Sequence, residues 1–490
     1  MFKKLKGINI LIISGLIAKI LAAIYRFPYQ NIVGDRGFYA YQQVYPFYAI
    51  ITTLSLTALP NFFSTLFDSE DKDYQDEGQF FQVILTLSIL SFVFLLAFSS
   101  QITRFIGNDS LSLSFIWAIS PLILVPFLSI LRGYSQSRLD MTTTAVSQVL
   151  EQTIRVLMIL AAALSFHHFT NSIYTVSMLS MLGSFLASLV ALIYLYKHDP
   201  LNFLSLFKNF WDIREKIKIL HKFGFSSLIF IFFMIYMLIM QMIDVFIVKD
   251  SLVEAGIANI EAESLKGIYD RGQPFLQLGL VFITSIFTSS LPKLTKNFSQ
   301  DKLINLFDIA VYLSVTITVG LLLILPQMNQ VLFKDNLESQ ALAIFSSQIA
   351  LVGIIQFYHH KFFLENKNMT SFIILLMGLL VKLLLTHRMT LLYGLVGASS
   401  SSFISLSFVL VLYILTSRVF PRQLFNIRYL LSLSLMSVSL LISINMFHVE
   451  HRFSKLLVII FAVSISSLVF LYSAKKLKAF SNDLWQEFRG

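Results

Sequence analysis

The sequence predicts an all-α, polytopic membrane protein, and two observations carry that prediction. Hydrophobic residues make up 56% of the 490 residues and charged residues only 13%, against about 25% charged in a typical soluble domain. Long apolar runs also recur along the whole chain, each near the roughly 20 residues that cross a bilayer as a helix. The chain has no cysteine and its nine histidines lack HExxH-type spacing, so we predict no metal-binding and no catalytic residue.

The apolar runs define about fourteen predicted spans. In order along the chain they lie near 8–32, 38–65, 79–100, 111–132, 142–165, 171–196, 223–248, 268–291, 303–326, 341–360, 369–387, 392–417, 427–448 and 454–474. The first run follows a basic start like that of a signal peptide. Because Lys19 interrupts this run and no small-x-small cleavage site follows a short apolar core, we predict a retained helix.

Lysine and arginine set the predicted orientation, because cytoplasmic loops are enriched in them. With the N-terminus inside, the inner segments hold about 24 of these residues and the outer segments about nine. Both termini are therefore expected in the cytoplasm, as an even number of spans requires. The acidic loop at 68–77 falls on the inner side and does not oppose this orientation, since acidic residues contribute little to the rule.

Short landmarks recur in the two halves of the chain, which predicts an internal repeat. Asp35-Arg36-Gly37 corresponds to Asp270-Arg271-Gly272, and Leu59-Pro60 to Leu291-Pro292. An even number of spans separates equivalent landmarks, so both halves enter the membrane in the same direction, as in transporters with parallel repeats. The predicted organisation is an N-lobe at 1–196, a cytoplasmic amphipathic linker at 197–222, a C-lobe at 223–417, and two further spans with a cytoplasmic tail at 418–490.

Two of these segments carry specific expectations. The basic amphipathic stretch in the linker is predicted to lie on the inner membrane face, or simply to join the lobes. The two Asp-Arg-Gly triplets fall at the predicted outer mouth, where Asp35, Arg36 and Asp270 are candidates for a gate whose opposite charges pair and separate. The alternative is that each Asp and Arg caps its own helix and anchors it at the interface.

Ionisable residues inside spans are costly and tend to face the bundle interior. Lys19 and Arg26 lie seven residues apart, on one face of span 1, and small residues leave that face open. Such a basic stripe suits an anion, since arginine clamps phosphate through two parallel hydrogen bonds. The alternative for Arg26 is that its side chain reaches the outer interface, which we also expect for Lys382 near the end of span 11.

Spans 5 and 7 carry the remaining candidates for a coupling or cavity role. Glu151 and Arg155 are an i,i+4 pair in the favourable order, either a structural pair or part of a cavity lining. Asp244 has no partner at helical spacing in span 7. It can form an ion pair with Arg26 or Arg271 across the lobes, or carry a coupling proton or sodium ion.

Three segments resemble the polysaccharide-exporter branch of the MOP superfamily, and in particular the MurJ-type lipid II flippases and the SpoVB group. They read IAKILAAIYRFPYQNIVGDRGFYAYQQVYP, RGYSQSRLDMTTTAVSQVLEQTIRV and LKGIYDRGQPFLQLG. The resemblance implies two six-helix lobes around a central cavity, plus two C-terminal helices that form a groove for a lipid tail. It also implies alternating access that moves an undecaprenyl-diphosphate-linked sugar from the inner to the outer leaflet.

By the same resemblance, Lys19 and Arg26 on span 1 and Arg271 on span 8 would contact the diphosphate. Arg26 is followed by Phe27, where the family motif has an aspartate, so the choice between lipid II and another lipid-linked glycan stays open. The expected partners are this glycan lipid and membrane lipids, without nucleic acid, and the expected state is a monomer in the bacterial plasma membrane. We expect no enzyme activity and no cofactor apart from a coupling proton or sodium ion.

Three other functions remain open at this point. A multidrug exporter of the same superfamily would take cations and so needs carboxylates in its cavity, whereas span 1 has two bases and no acid. A membrane glycosyltransferase or polymerase would expose sizeable loops with catalytic carboxylates, whereas the acidic cluster at 68–77 is typical of a solvated loop. A non-transporting scaffold for envelope assembly would be indifferent to replacement of Lys19 and Arg26.

Overall fold

The computed structural model describes residues 14–67, 75–166, 172–199, 201–207, 212–296, 299–447, 449 and 451–480. These residues form helices joined by turns, without a strand among them, which confirms the predicted all-α class. Eleven helices in the described part of the chain are long and apolar enough to cross a membrane. One of these eleven holds two predicted spans, and helices outside the eleven correspond to spans 1 and 8.

We number the α-helices in chain order. They are α1 (14–24), α2 (Arg26–Gln42), α3 (Tyr45–Thr53), α4 (Leu59–Phe67), α5 (Gln75–Ala97), α6 (Ser99–Phe105), α7 (Ser112–Ile119), α8 (Val125–Ser137), α9 (Met141–Leu164), α10 (Ile173–His198), α11 (Ile213–Glu254), α12 (Asn259–Asp270), α13 (Gly272–Lys296), α14 (Gln300–Phe333), α15 (Ser339–Leu364), α16 (Asn368–Ser417), α17 (Ile427–Asn445) and α18 (Arg452–Lys476). Short 3₁₀ turns and the π-helical segment Leu54–Ala58 connect some of them.

Several helix boundaries differ from the predicted spans for identifiable backbone reasons. Span 1 continues from α1 into α2, and the chain turns towards span 2 at Gly34, whose φ of 74° and ψ of 179° are readily adopted only by glycine. Span 8 is divided between α12 and α13 at Arg271. Spans 11 and 12 form the single 50-residue helix α16, interrupted at Gly394.

The described residues up to Asp270 form one compact unit, and those from Arg271 onward form a second. In the first unit, α9 packs on α10 and α4 packs on α8. Small residues allow these close approaches: a Cβ atom on Gly133 of α8 would lie 2.4 Å from Cβ of Phe63 in α4. Helix α12 packs along α2, so the first unit extends to the middle of predicted span 8.

The second unit contains α13 to α18, with α15 packed on both α14 and α16. The final pair, α17 and α18, packs side by side. An aromatic cluster joins this pair to α14, with the ring centroids of Tyr312 and Tyr429 4.5 Å apart and those of Tyr312 and Phe480 4.8 Å apart. This cluster fixes the two C-terminal spans to the rest of their unit.

Lys382 is fully buried in the second unit, and the prediction that it reaches the interface is wrong. The first limb of α16 runs on to the break at Gly394, so Lys382 lies near its middle rather than at its end. Its ammonium group donates to Ser402 Oγ of the second limb at 2.5 Å. A second hydroxyl contact, Ser405 Oγ to the Gly378 carbonyl at 2.5 Å, also ties the two limbs together.

Candidate functional site

Arg26, at the start of α2, is fully buried in the first unit. Its guanidinium lies over the Tyr45 ring, 4.6 Å from the centroid, and 5.8 Å from that of Tyr25. Tyrosine rings attract a cation through their negatively charged faces. Arg26 therefore points into protein rather than to the outer interface, whereas Lys19, expected on the same face, is exposed in α1.

A second arginine, Arg155 of α9, contacts the same tyrosines. Its guanidinium lies 5.4 Å from the Tyr45 ring centroid and 4.4 Å from that of Tyr48. Its Nη2 donates to the hydroxyls of Tyr25 and Tyr41, at 3.2 Å and 3.0 Å, and these two hydroxyls are 2.8 Å apart. We call this set the arginine–tyrosine cluster, comprising Arg26, Arg155, Tyr25, Tyr41, Tyr45 and Tyr48.

The local sequence explains why these rings converge. Tyr41, Tyr45 and Tyr48 follow one another at helical spacing, so α2 and α3 present them in one direction. Six of the chain's 19 tyrosines lie between positions 25 and 48, in a chain with 48 phenylalanines. This local preference for the ring that carries a hydroxyl was the signal by which the sequence could have revealed the cluster.

Glu151 pairs with a different arginine from the predicted one. Its Oε2 lies 2.6 Å from Nη2 of Arg132 in α8, both side chains are fully buried, and its Oε1 accepts from Ser188 at 2.7 Å. Arg132 also donates to the Ser55 carbonyl at 2.9 Å. Arg132 and Ser188 each contact one oxygen of this carboxylate, and Glu151 pairs with Arg132 instead of forming the predicted i,i+4 pair. Arg155 consequently forms no ion pair with any residue that the structure describes.

A second polar cluster is centred on Glu263 of α12, which is 1% exposed. Its Oε2 accepts from Arg36 Nη2 at 2.8 Å and Nε at 3.1 Å. Its Oε1 accepts from Asn108 Nδ2 at 2.7 Å and from the Tyr174 hydroxyl at 3.0 Å. We call Arg36, Asn108, Tyr174 and Glu263 the Glu263 cluster, which joins α12 to α2, to the loop after α6 and to α10.

Backbone packing brings α12 against α2 beside this cluster. A Cβ atom on Gly267 would lie 2.1 Å from the carbonyl oxygen of Asp35, so only glycine permits the observed approach. Asp35 accepts from Gln30 Nε2 at 2.9 Å, and Asp270 accepts from Lys266 Nζ at 2.6 Å. Of the three predicted gate residues, Arg36 forms an ion pair that joins α2 to α12, with an acidic partner that was not predicted.

Asp244 of α11 is buried and accepts from the Tyr269 hydroxyl of α12 at 2.8 Å. This contact places the predicted coupling residue in the first unit, close to α12. Among the described residues, there is no group of three or more histidine, aspartate or glutamate side chains arranged to hold a metal ion.

Arg271, the third predicted substrate contact, belongs to the second unit. Its Nη1 and Nη2 bind Asp335 Oδ1 and Oδ2 at 2.6 Å and 2.9 Å. Burial raises the pKa of the Asp335 carboxyl, but hydrogen bonds from Arg271 and from the Leu337 amide, with the Arg271 charge, outweigh it and leave that pKa below its ordinary value. Asp335 follows α14, so Arg271 here reaches the loop after span 9, as Glu263 joins Arg36 to the loop after span 3.

The second unit also carries a groove of about 560 Å³ on its two C-terminal spans. One basic side chain, that of Lys476, lies among apolar ones along this groove. The lining residues are Leu435, Leu468, Val469, Tyr472, Ser473, Lys476 and Leu477.

Comparisons with known proteins place the chain in a family. Residues 4–298 match the family model described as polysaccharide biosynthesis protein. The chain is 32% identical over 507 aligned positions to the uncharacterized membrane protein YabM of Bacillus subtilis, covering 98% of this chain and 93% of YabM. It is 29% identical to the lipid II flippase MurJ of the same organism over 33% of this chain and 32% of that one.

Solved structures share the fold at low sequence identity. The lipid II flippase MurJ in an inward closed conformation superposes with a TM-score of 0.67 at 15% identity, covering 97% of this chain and 98% of MurJ. An inward-facing multidrug resistance MATE family transporter of the MOP superfamily gives 0.64 at 15% identity, covering 82% and 94%. The chain therefore belongs to the polysaccharide biosynthesis protein family.

Proposed function

We propose that the protein is a flippase that carries an undecaprenyl-diphosphate-linked sugar, such as lipid II or a related glycan precursor, from the inner to the outer leaflet by alternating access. The observation that carries this proposal is the arginine–tyrosine cluster: two buried guanidinium groups that lie over the same two rings, those of Tyr25 and Tyr45. A diphosphate cannot cross hydrocarbon unaided, because burying an unpaired charge costs many kcal/mol. A buried basic site lowers that barrier.

The partners of Arg155 suit an exchangeable site. Tyrosine hydroxyls and ring faces hold its guanidinium by neutral contacts, which a phosphate can replace without breaking an ion pair. Phosphate offers stronger, charge-assisted hydrogen bonds, and two of them can run in parallel to one guanidinium. The tyrosine hydroxyls released in this exchange can then donate to the remaining phosphate oxygens.

The other structural elements have places in the same proposal. The Glu263 cluster, by joining α12 to α2 and α10, would hold the predicted outer gate closed until the cargo is bound. The groove on α17 and α18 would hold part of the polyprenyl tail.

With both termini in the cytoplasm, an inside-negative potential would favour outward movement of the anionic headgroup by about 2.3 kcal/mol per charge per 100 mV. Asp244 is our candidate for a coupling proton or sodium ion.

A leaflet-resolved transport assay tests the proposal. Purified protein in proteoliposomes would receive lipid II, or a related lipid-linked sugar, in one leaflet, and the lipid reaching the other leaflet would be measured over time. We expect transport that Arg155→Gln lowers by about tenfold or more and that Arg138→Gln leaves intact. Arg138 is a suitable control because its side chain is 60% exposed and lies 3.7 Å from Asp199. Absence of transport for every lipid-linked sugar, with the protein folded, would contradict the proposal.

The same vesicles test the rival functions. A multidrug exporter would move a cationic dye and would be inhibited by loss of a carboxylate rather than of an arginine. A scaffold would move neither the dye nor the lipid, and its variants at Arg26 and Arg155 would support cell growth as the unchanged protein does.

A further inference from the structure

Helix α11 is too long to be one membrane span. Its 42 residues correspond to about 63 Å at 1.5 Å per residue, about twice the thickness of the hydrocarbon core. The helix is interrupted at Gly224, with φ 68° and ψ 162°, and predicted span 7 begins there. The preceding segment, residues 213–223, starts at Asp212, whose Oδ1 accepts from the Arg214 and Glu215 amides at 3.1 Å and 3.3 Å. We call residues 213–223 the surface helix.

One face of the surface helix packs on the protein. Ile219 and Phe223 are 2% and 8% exposed. The Phe223 ring centroid lies 4.6 Å from that of Phe62 in α4 and 5.4 Å from that of Phe80 in α5. Beside this face, Lys222 Nζ binds Asp76 Oδ2 of α5 at 2.7 Å. The surface helix is therefore held against the C-terminal end of span 2 and the N-terminal end of span 3.

On the rest of the surface helix, apolar and basic side chains occupy two different faces. Ile213, Ile217 and Leu220 are 69%, 51% and 44% exposed, and at 100° per residue they share one face. Arg214 and Lys218 occupy the face about 120° away from it, and both are exposed. An exposed apolar stripe beside a basic stripe, on a helix too short and too charged to span, is the pattern of helices that lie in the membrane interface.

We infer that the surface helix binds the anionic lipid headgroups of the leaflet on its side of the membrane. Its apolar stripe would enter the boundary between headgroups and acyl chains, with Arg214 and Lys218 beside the phosphates. Charge complementarity selects this occupant, because basic residues at the edge of an inserted apolar face attract anionic lipids. The inference concerns bulk membrane lipid and does not depend on the identity of the transported cargo.

Site-directed spin labelling tests the inference, because the chain has no native cysteine. A nitroxide would be placed on Ile217→Cys or, as reference, on Lys218→Cys in the full-length protein. Its accessibility to oxygen and to a water-soluble nickel reagent would be measured in phosphatidylcholine vesicles with and without phosphatidylglycerol. We expect the label at position 217 to be shielded from nickel, and more so with phosphatidylglycerol, while the label at position 218 stays accessible to water.

Charge variants separate headgroup binding from simple apolar insertion. Arg214→Gln/Lys218→Gln on the Ile217→Cys background should remove the effect of phosphatidylglycerol and leaves the Lys222–Asp76 pair in place. Arg104→Gln/Arg388→Gln, an equal change at exposed positions outside the surface helix, should retain the effect. The inference is overturned if the label at position 217 is as accessible to nickel as that at position 218. That result is expected if the apolar face binds a soluble protein instead of the membrane. It is also overturned if phosphatidylglycerol does not change the nickel accessibility of the label at position 217.

Discussion

Arg132 and Arg155 are both buried arginines of the first unit, yet their surroundings differ in kind. Arg132 lies 2.6 Å from a carboxylate and donates to a serine and a backbone carbonyl, so its charge is neutralised within the protein. Arg155 is held by tyrosine hydroxyls, an amide oxygen and ring faces. A buried pair of opposite charges is typical of structural residues, whereas a charge held by neutral groups retains its attraction for an anion.

Replacing Arg155 by Gln should remove substrate binding and leave the fold intact. We expect transport to fall by about tenfold or more, because a hydrogen bond to a charged group is worth about 1.5–3 kcal/mol. Added undecaprenyl diphosphate should no longer raise the apparent unfolding temperature, since that rise requires binding to the folded state. A variant that unfolds several degrees earlier but keeps the full shift with the lipid would show that Arg155 only supports the fold.

Replacing Glu151 by Ala should destabilise the first unit, because the buried Arg132 then loses its counter-charge. Breaking such a pair costs about 3–5 kcal/mol, which thermal unfolding in detergent at a fixed scan rate would detect. The double variant Arg132→Met/Glu151→Leu should recover most of the loss. If Glu151→Ala stops transport without lowering the unfolding temperature, the carboxylate acts in coupling instead.

The sequence selected some of the buried charges at this scale but did not pair them, and the same reasoning also selected Lys19, which is exposed. Arg26, Arg155, Glu151 and Asp244 were all chosen because ionisable groups in spans must face protein, and all four are buried. Their partners come from other helices, many residues away along the chain. Spacing along one helix proposed Glu151 with Arg155, and three-dimensional packing brought Arg132 to Glu151 instead.

Helix α12 depends on one glycine for its place against α2. Gly267→Ala would put a methyl group 2.1 Å from the Asp35 carbonyl oxygen, so α12 must move away and the Glu263 cluster must weaken. Ala262 is fully buried on this helix. The rate at which maleimide modifies Ala262→Cys, as the only cysteine, should therefore rise when Gly267→Ala is added.

A matched substitution provides the control for that experiment. Gly15→Ala in α1 adds the same methyl group where no atom lies within 4 Å, and it should leave the labelling rate unchanged. Equal rates in the Gly267→Ala and unchanged backgrounds would mean that α12 does not depend on this contact.

Hydropathy predicted where helices exist more reliably than where they end. Apolar length alone revealed the spans, because a membrane helix must satisfy its backbone hydrogen bonds internally. The breaks at Gly34, Gly224 and Gly394 depend on single positive φ angles, which leave hydropathy nearly unchanged. The length of the first limb of α16 was missed for this reason, and with it the burial of Lys382.

The two Asp-Arg-Gly triplets, which are landmarks of the predicted repeat, share one kind of contact. In each unit the arginine of the Asp-Arg-Gly triplet has a carboxylate partner, Glu263 for Arg36 and Asp335 for Arg271. Neither partner lies at helical spacing from its arginine, so the pairs could not be read from the triplets themselves.

The Arg271–Asp335 pair predicts how the second unit responds to acid. The pKa of Asp335 is below its ordinary value in the folded state. The ion pair therefore stabilises the fold fully at pH values above the unfolded pKa of about 3.9. This stabilisation is lost as the pH falls through the lower pKa of the folded state. The unfolding temperature should exceed that of Asp335→Asn by a constant margin above about pH 5. This margin should shrink as the pH falls below about 4. If the difference in unfolding temperature instead widened on acidification, burial would outweigh the ion pair in setting the pKa of Asp335.

The buried lysine of α16 has a consequence for how the protein is made. A ribosome delivers span 11 to the bilayer before span 12, and a lone lysine at the centre of a helix opposes insertion by about 2.5–3.5 kcal/mol. The hydroxyl that receives this ammonium, that of Ser402, is translated twenty residues later. Span 11 should therefore insert less efficiently in a nascent chain truncated before Ser402 than in one that continues through span 12.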